Sequence, residues 1–143
     1  MTAIGKLYTV GYAGLQSIEQ LQSFLAQKVF LVDIRYYPSS RWQPEWSRKQ
    51  LIARFAPNYR HIRELGNINY HSPNLPIQLL DAKQGISWIV PMLQQGRDMC
   101  LLCACADWQR CHRREVAELI QRELADIQPI HLSKENLACF VSF

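Results

Sequence analysis

The sequence predicts an α/β domain with three layers, in which helices cover both faces of a mostly parallel sheet of about five strands. Short apolar stretches alternate with stretches of helical periodicity four times along the chain, which is typical of parallel strands joined by right-handed crossovers. Two of the stretches, 29–34 and 99–104, are apolar almost throughout, as expected of strands buried on both faces. Because 143 residues suffice for one core without disulfides or a metal, we expect residues 1–143 to form a single domain.

The first predicted strand, 7–10, ends at a turn, 11–14, and a helix follows. Ser17 and Gln20 have the spacing of a capping box, which predicts that this helix begins at Ser17. Its apolar face consists of Ile18, Leu21, Phe24 and Leu25. The buried strand 29–34 comes next.

A second capping box, Ser47 with Gln50, predicts another helix. The apolar face of this helix consists of Leu51, Ile52 and Phe55. Residues 59–62 predict a weaker strand, and the stretch 66–76, which is rich in Asn, Pro and Ser, predicts a long loop.

Helical periodicity returns around residues 86–93, and this helix is expected to end at Gly96. Pro91 interrupts the pattern, so the helix is expected either to be kinked or to begin later than its periodicity indicates. The remaining predicted elements are the buried strand 99–104, a turn at 106–108, a helix from about Cys111 to Leu124 and a short strand at 129–132.

The composition predicts a cytoplasmic protein that does not bind membranes. No apolar run approaches the roughly 20 residues that span a bilayer, and residues 1–6 lack the layout of a signal peptide. The five cysteines are expected to stay reduced, and their odd number argues further against a disulfide framework. Cys139 belongs to no motif and is expected to be structural. The sequence identifies neither a cofactor nor an oligomeric state.

Positive charge is concentrated in one segment. The net charge is +4, yet residues 35–63 hold seven basic side chains and a single acid, Glu45. The seven are Arg35, Arg41, Arg48, Lys49, Arg54, Arg60 and Arg63. Such a field favours an anionic partner. The partner is either a nucleic acid or an anionic small molecule, for example a nucleotide. A solvated basic face is the alternative.

The position of a candidate site follows from the predicted sheet. In α/β sheets, ligands bind beyond the carboxyl ends of the strands, which selects the junctions 11–14, 33–41, 61–66 and 103–113. The candidate catalytic residues are Asp33, Cys111 and His112. The candidate ligand-binding residues are Gly11, Tyr12, Arg35, Ser40, Arg41, His61, Cys103 and Arg113.

Asp33 lies where a buried strand emerges, and a carboxylate there needs a partner. Arg35 and Arg41 are near in sequence, and two guanidinium groups with the Ser40 hydroxyl suit a phosphate or carboxylate. Asp33 is therefore expected to orient an arginine or to act as a base. The alternative is that Asp33 and an arginine only tie the loop together.

Aromatic side chains are interleaved with these arginines. They are Tyr36, Tyr37, Trp42 and Trp46. Aromatic rings among arginines on a loop can stack on bases while the arginines hold phosphates. The same rings can instead form the hydrophobic lid of a small domain, and both interpretations stay open.

Cys111 and His112 are expected in the first turn of a helix, where backbone amides and Arg113 form an anion site and lower the pKa of a thiol. His112 is either a base or a helix-capping residue. Cys103 is either a site residue or a small apolar side chain of its strand. Zinc binding by these two cysteines with Cys105 and His112 is an alternative, but the spacing is not that of paired Cys-x-x-Cys motifs, so no metal site is predicted.

Taken together, four motifs make the chain similar to the DUF488 family, a domain of unknown function. The motifs are Thr9-Val10-Gly11-Tyr12, Val32-Asp33-Ile34-Arg35 with Pro38, Ser40 and Arg41, Tyr59-x-His61-x-x-Glu64-Leu65-Gly66, and Leu101-Leu102-Cys103-Ala104 with Cys111-His112-Arg113. They lie in the expected order and cover most of the chain. The resemblance implies an α/β fold and one common site.

Two positions depart from the family pattern. Cys105 stands where the family usually has Glu, and Asn67 follows Gly66 where the family usually has a second glycine. If that glutamate is a general acid or base in the family, the departure at Cys105 implies altered or absent activity here.

The leading hypothesis is an enzyme, or an enzyme-like domain, that binds and acts on a phosphate-bearing ligand, either a nucleotide or a nucleic acid. Its anion-binding residues are expected to be Arg35, Ser40, Arg41 and Arg113. Two alternatives are a non-enzymatic nucleic-acid-binding module formed by residues 35–63 and a thiol- or metal-dependent enzyme centred on Cys103, Cys105 and Cys111. The leading hypothesis requires Arg41 and His112 to share one pocket.

Overall fold

The computed structural model describes residues 3–137, and this part of the chain contains five strands and five α-helices. The strands are β1 (Leu7–Gly11), β2 (Val29–Asp33), β3 (Tyr59–His61), β4 (Asp98–Cys103) and β5 (Ile130–His131). The helices are α1 (Ile18–Leu25), α2 (Arg48–Phe55), α3 (Ala82–Gln94), α4 (His112–Glu123) and α5 (Lys134–Leu137). Cys139 lies outside the described residues, so its structural role stays a prediction.

The five strands form one parallel sheet with the order β3-β2-β4-β1-β5. The central strand, β4, pairs Leu101 with Thr9 of β1 on one side and with Val32 of β2 on the other. β2 is buried along its whole length and β4 along nearly all of it, because helices cover both faces. The predicted α/β class and the parallel sheet of about five strands are confirmed.

Helices form a layer on each face of the sheet. Ile89 of α3 and Ile120 of α4 belong to the core on one face, whereas Leu21 of α1 and Leu51 of α2 belong to the core on the other. Alternate residues of β4 contribute to the two cores, so the three predicted layers are present. Within residues 3–137, no helix has the length and apolarity needed to cross a membrane.

The apolar faces of α1 and α2 agree with the periodicity except at one residue. The four predicted residues of α1 are all buried, as are Leu51 and Phe55 of α2. Ile52 is 42% exposed, so its predicted place in the core is wrong. It lies about 100° around the helix from Leu51, which turns it away from the sheet.

Helices α1 and α2 begin where predicted but are not capped as predicted. Ser17 and Ser47 precede them in an extended conformation, yet neither hydroxyl accepts a capping hydrogen bond. The Gln20 carboxamide accepts instead from the amide of the residue before Ser17, at 2.9 Å. The Arg48 amide donates to the Pro38 carbonyl at 2.8 Å. A tertiary contact therefore replaces the second capping box.

Helix α3 differs from the prediction at its start. It begins at Ala82 and is capped by Asp81, whose carboxylate accepts from the Gln84 amide at 3.2 Å. It then continues through Pro91. The expectation that it begins later is wrong, because a capping carboxylate starts the helix before its first large apolar residue. It ends as predicted at Gly96, whose φ of 88° is left-handed.

The parallel register brings the predicted junctions to one edge of the sheet. Gly11 at the end of β1 pairs with Cys103 at the end of β4. Asp33 at the end of β2 pairs with Leu102 and with His61 at the end of β3. The ends of four strands therefore lie side by side, and the loops that leave them are neighbours.

Gly11 lies where the loop after β4 approaches the end of β1 closely. A Cβ at this position would lie 1.5 Å from the carbonyl oxygen of Cys105 and 2.9 Å from Nη1 of Arg113. The lack of a side chain therefore lets the loop after β4 cross directly over the end of β1. This packing role differs from the ligand contact predicted for Gly11.

We expect Gly11→Ala to lower the free energy of unfolding by more than about 3 kcal/mol, because the added methyl group overlaps backbone atoms that cannot move independently. Gly14→Ala is the matched control in the same turn, since its Cβ would come no closer than 3.3 Å to any atom of Ala106. That variant should lose no more than about 1 kcal/mol. Urea unfolding followed by circular dichroism compares the two, and equal losses would contradict this packing.

Candidate ligand-binding site

A cavity of about 750 Å³ lies at the edge where the strands end. Six of the eleven predicted site residues line it, namely Tyr12, Arg35, Ser40, Arg41, Cys111 and His112. The other five lie outside its wall, namely Gly11, Asp33, His61, Cys103 and Arg113. Arg41 and His112 thus share one pocket, and the stretches 33–41 and 103–113 meet in space as the leading hypothesis requires.

A buried ion pair lies behind one wall of the cavity. Arg35 donates to Asp33 from Nε to Oδ1 at 2.8 Å and from Nη2 to Oδ2 at 2.7 Å. The Tyr59 hydroxyl donates to Oδ2 at 2.5 Å, and the Arg35 amide donates to Oδ1 at 3.2 Å. Asp33 is fully buried and Arg35 is 5% exposed. Of the two roles predicted for Asp33, this geometry supports the orientation of an arginine, because its oxygens are already occupied.

The ion pair changes the ionisation of its members. Burial alone would lower the pKa of Arg35, but the hydrogen bonds and charge of Asp33 outweigh burial and raise it above its ordinary value. The pKa of Tyr59 is also raised, first by burial and then by the negative charge of Asp33 and the hydrogen bond to it. Arg35 is therefore a permanent cation, and Tyr59 is a neutral hydrogen-bond donor.

One donor of this arginine is unused. Nη1 of Arg35 is buried and has no hydrogen-bond partner among the described residues. The guanidinium also lies over the Tyr12 ring, 5.5 Å from its centroid. A buried charged donor without an acceptor is costly, so an acceptor placed beside this atom would stabilise the site.

Two histidines are attached to the backbone that carries this arginine. Nε2 of His61 lies 2.7 Å from the Arg35 carbonyl oxygen, and Nε2 of His112 lies 2.7 Å from the Ile34 carbonyl oxygen. Because a carbonyl only accepts, each Nε2 carries a proton and donates it, and in a neutral ring the lone pair is then on Nδ1. The pKa of His112 is lowered, mainly by burial, so the neutral imidazole is favoured.

Three thiols lie close together beside the cavity, and two of them, Cys105 and Cys111, line it. The sulfur atoms of Cys103, Cys105 and Cys111 are all within 4.8 Å of one another. Those of Cys103 and Cys111 are 2.6 Å apart, and the Cys111 sulfur is 3.8 Å from Nδ1 of His112. Burial raises the pKa of Cys103. Hydrogen bonds from the neighbouring thiols lower that of the exposed Cys105, which makes Cys105 the group that ionises first.

Arg113 is buried behind the same loop rather than in the cavity wall. It is 1% exposed, and its Nη2 donates to the Ala106 carbonyl at 3.2 Å. Its Nε and Nη1 have no hydrogen-bond partner within the described residues. The anion contact predicted for Arg113 is therefore not made from the cavity lining, where the exposed Arg110 is present instead.

Aromatic side chains form one side of the cavity. Tyr36 and Tyr37 make an edge-to-face pair with centroids 5.1 Å apart, and Tyr70 lies 5.8 Å from the first and 5.5 Å from the second. Arg63 lies over the Tyr36 ring at 4.3 Å. Trp42, also in the lining, is 85% exposed. These rings are thus accessible to a ligand.

Trp46 is a packing residue rather than a ring that can stack on a ligand. It is 1% exposed and stacks on Tyr12 at 5.2 Å between centroids, so it belongs to the hydrophobic core. Arg60 does not line the cavity either. Its guanidinium lies over the Trp88 ring, 4.6 Å from the ring centroid. The basic segment 35–63 is therefore divided between the cavity and other surfaces.

Sequence reasoning missed the contribution of the long loop after β3. Asn67, Asn69, Tyr70 and His71 all line the cavity. Asn67 organises this loop, because its Oδ1 accepts from the amides of Asn69 and Gln78, each at 3.0 Å. An aromatic residue next to a histidine within an Asn- and Pro-rich stretch was the available signal.

We expect Asp33→Asn to lower the free energy of unfolding by about 3 kcal/mol, because it leaves the Arg35 guanidinium buried without a counter-charge. Glu118→Gln is the matched control, since it removes the same charge from a half-exposed pair with Arg114. The control should change stability by less than about 1 kcal/mol. Urea unfolding of both variants checks this, and similar effects would show that the buried pair has no special importance.

The comparisons with known proteins agree with the motif analysis. The model of the family described as "Domain of unknown function DUF488" matches residues 17–120, which is most of the chain. No curated protein and no solved structure matches the chain. The matched range contains the ion pair, the aromatic side chains and the thiol loop described above. The chain therefore belongs to the DUF488 family, as its sequence motifs predict.

Proposed function

We propose that this protein binds a phosphate-bearing ligand with a planar ring, of the nucleotide class, in the cavity at the carboxyl ends of the strands. The observation that carries this proposal is the buried Nη1 of Arg35, which has no hydrogen-bond partner among the described residues. Asp33 holds the rest of the guanidinium in place. A phosphate oxygen is an acceptor of the charge and size that this donor requires.

Other cations and a hydroxyl support the anion-binding part of the proposal. Ser40, Arg41 and Arg110 line the same cavity as Arg35. Arginines bind phosphate through paired donors in a fixed fork, and several of them around one cavity concentrate anions there. The set differs from the predicted one by the exchange of Arg113 for Arg110.

The aromatic side supports the planar part of the ligand. Tyr37 and Tyr70 are exposed and lie 5.5 Å apart at the cavity wall. Base–aromatic stacking contributes roughly 1–3 kcal/mol per base. A ligand that places its phosphate near Arg35 and its ring against these tyrosines uses both sides of the cavity.

A nucleic-acid strand is the second candidate, and Trp42 is the observation that favours it. Its ring is 85% exposed, and the Arg41 guanidinium lies 5.4 Å from its centroid. An exposed ring beside an arginine at a cavity rim is typical of surfaces that stack successive bases and hold the backbone. We include a cytoplasmic location in this proposal, because nucleotides and nucleic acids are both present in the cytoplasm.

The catalytic roles predicted for Cys111 and His112 stay predictions. Both side chains line the cavity, and Cys111 Sγ lies 3.8 Å from Nδ1 of His112, a separation at which the imidazole can accept the thiol proton. The proposal of ligand binding does not require this step.

Binding is tested by isothermal titration with nucleoside mono- and triphosphates, nucleosides, inorganic phosphate and short single-stranded oligonucleotides. We expect Arg41→Ala to weaken binding of phosphate-bearing ligands about tenfold, since a charge-assisted hydrogen bond is lost. Arg122→Ala, which removes an exposed arginine of α4 outside the cavity, should leave affinity unchanged. Tyr70→Ala should weaken nucleotides but not inorganic phosphate.

Salt dependence separates the two candidates. An oligonucleotide that binds as a strand should lose affinity more steeply with salt than a mononucleotide, because more counterions are released. Absence of binding by every phosphate-bearing ligand, or equal affinities of the Arg41→Ala and Arg122→Ala variants, would refute the proposed function.

A further inference from the structure

The loop between β4 and α4 brings three thiols together within a few residues. Cys103 ends β4, Cys105 is in the loop, and Cys111 precedes the first residue of α4. Their sulfur atoms all lie within 4.8 Å of one another. Cys105 is exposed whereas the other two are buried, so the cluster has one side open to solvent. Soft sulfur ligands on such a scaffold select zinc among the common divalent ions.

An imidazole is directed at the same place. His112 follows Cys111 in the chain, and its Nδ1 lies 3.8 Å from the Cys111 sulfur. Its Nε2 donates to the Ile34 carbonyl at 2.7 Å, which holds the ring and leaves Nδ1 as the atom with a lone pair. Histidines that bind metals commonly donate their second nitrogen to a backbone carbonyl in this way.

The charge of Arg113 is a second, independent observation. Its guanidinium is 1% exposed and holds the Ala106 carbonyl of the same loop. No carboxylate of residues 3–137 lies within ion-pair distance of it, and two of its nitrogens have no hydrogen-bond partner there. A buried cation of this kind needs a negative group beside it.

We propose that Cys103, Cys105, Cys111 and His112 form a zinc site. Binding Zn²⁺ displaces one proton from each of the three thiols, and the imidazole binds through its neutral Nδ1. Three thiolates, one divalent ion and one neutral imidazole sum to a single negative charge. That charge neutralises the guanidinium of Arg113, which accounts for a buried arginine without a carboxylate.

The metal requires a small rearrangement of the thiols. Zinc–sulfur bonds of about 2.3 Å in a tetrahedral site place sulfur atoms about 3.8 Å apart. The sulfur atoms of Cys103 and Cys111 are 2.6 Å apart, so metal binding requires them to separate by about 1.2 Å. A disulfide between these two is the competing possibility. It would leave the approach of Cys105 and His112 unexplained, and the test below distinguishes the two.

The site lies in the wall of the cavity, because Cys105, Cys111 and His112 are among its lining residues. The metal is inferred from the protein's own side chains and does not depend on the identity of the cavity's ligand. Loss of metal and loss of nucleotide binding are therefore separate results. If the ion is present, Cys111 is a ligand rather than a nucleophile.

The test is the metal content of the full chain, purified without chelator from zinc-supplemented cells, by mass spectrometry of the elements. We expect about one zinc ion per chain, and less than about a fifth of that in the Cys105→Ser and Cys111→Ser variants. Cys100→Ser is the matched control, since Cys100 is a buried thiol of β4 in the opposite core. It should keep the ion. Circular dichroism confirms that each variant is folded.

Cobalt provides a second readout that does not need the native ion. Wild-type protein titrated with Co²⁺ should develop the thiolate charge-transfer and visible bands of a tetrahedral cobalt site, and the Cys105→Ser variant should not. The proposal is overturned if folded wild-type protein takes up neither ion. It is also overturned if its intact mass lacks two hydrogen atoms and a peptide joins Cys103 to Cys111, because the pair is then a disulfide.

Discussion

The candidate site depends on the buried ion pair between Asp33 and Arg35. The strand β2 delivers a carboxylate to the point where the sheet ends, and the arginine two residues later turns back to it through two hydrogen bonds. The backbone of this turn also holds the site together, because the carbonyls of residues 34 and 35 accept from His112 and His61. The ion pair and the turn that carries it therefore contact β3 through Tyr59 and His61 and the first turn of α4 through His112.

The two buried arginines, Arg35 and Arg113, differ in how their positive charge is balanced. Arg35 is neutralised by Asp33 and still has one donor unused, whereas Arg113 has no carboxylate within ion-pair distance in the part of the chain that is described. A charge in the low dielectric of a core must be balanced locally. The first arginine is the basis of the ligand proposed in the cavity, and the second is the basis of the negative charge proposed on the thiols beside it.

The fold could be predicted because it depends on local patterns. Apolar runs identified β2 and β4, and a parallel sheet necessarily placed Asp33, Gly11 and Cys103 at one edge. The capping boxes failed because capping groups can be replaced by distant backbone, as the Pro38 carbonyl does for α2. Periodicity also could not show that Asp81 starts α3 ahead of its apolar residues.

The site could be predicted in part, for a related reason. Residues next to strand ends, such as Arg35 and His112, were found from the topology rule. Tyr70 and His71 were missed because the long loop after β3 returns to the cavity by tertiary contacts, and the burial of Arg113 and Trp46 has no local signature.

The most direct test of ligand binding at Arg35 is a crystal structure with a bound nucleoside monophosphate. We expect a phosphate oxygen within hydrogen-bond distance of Nη1 of Arg35, and a ligand bound elsewhere, with this nitrogen still unpartnered, would contradict the proposed binding site.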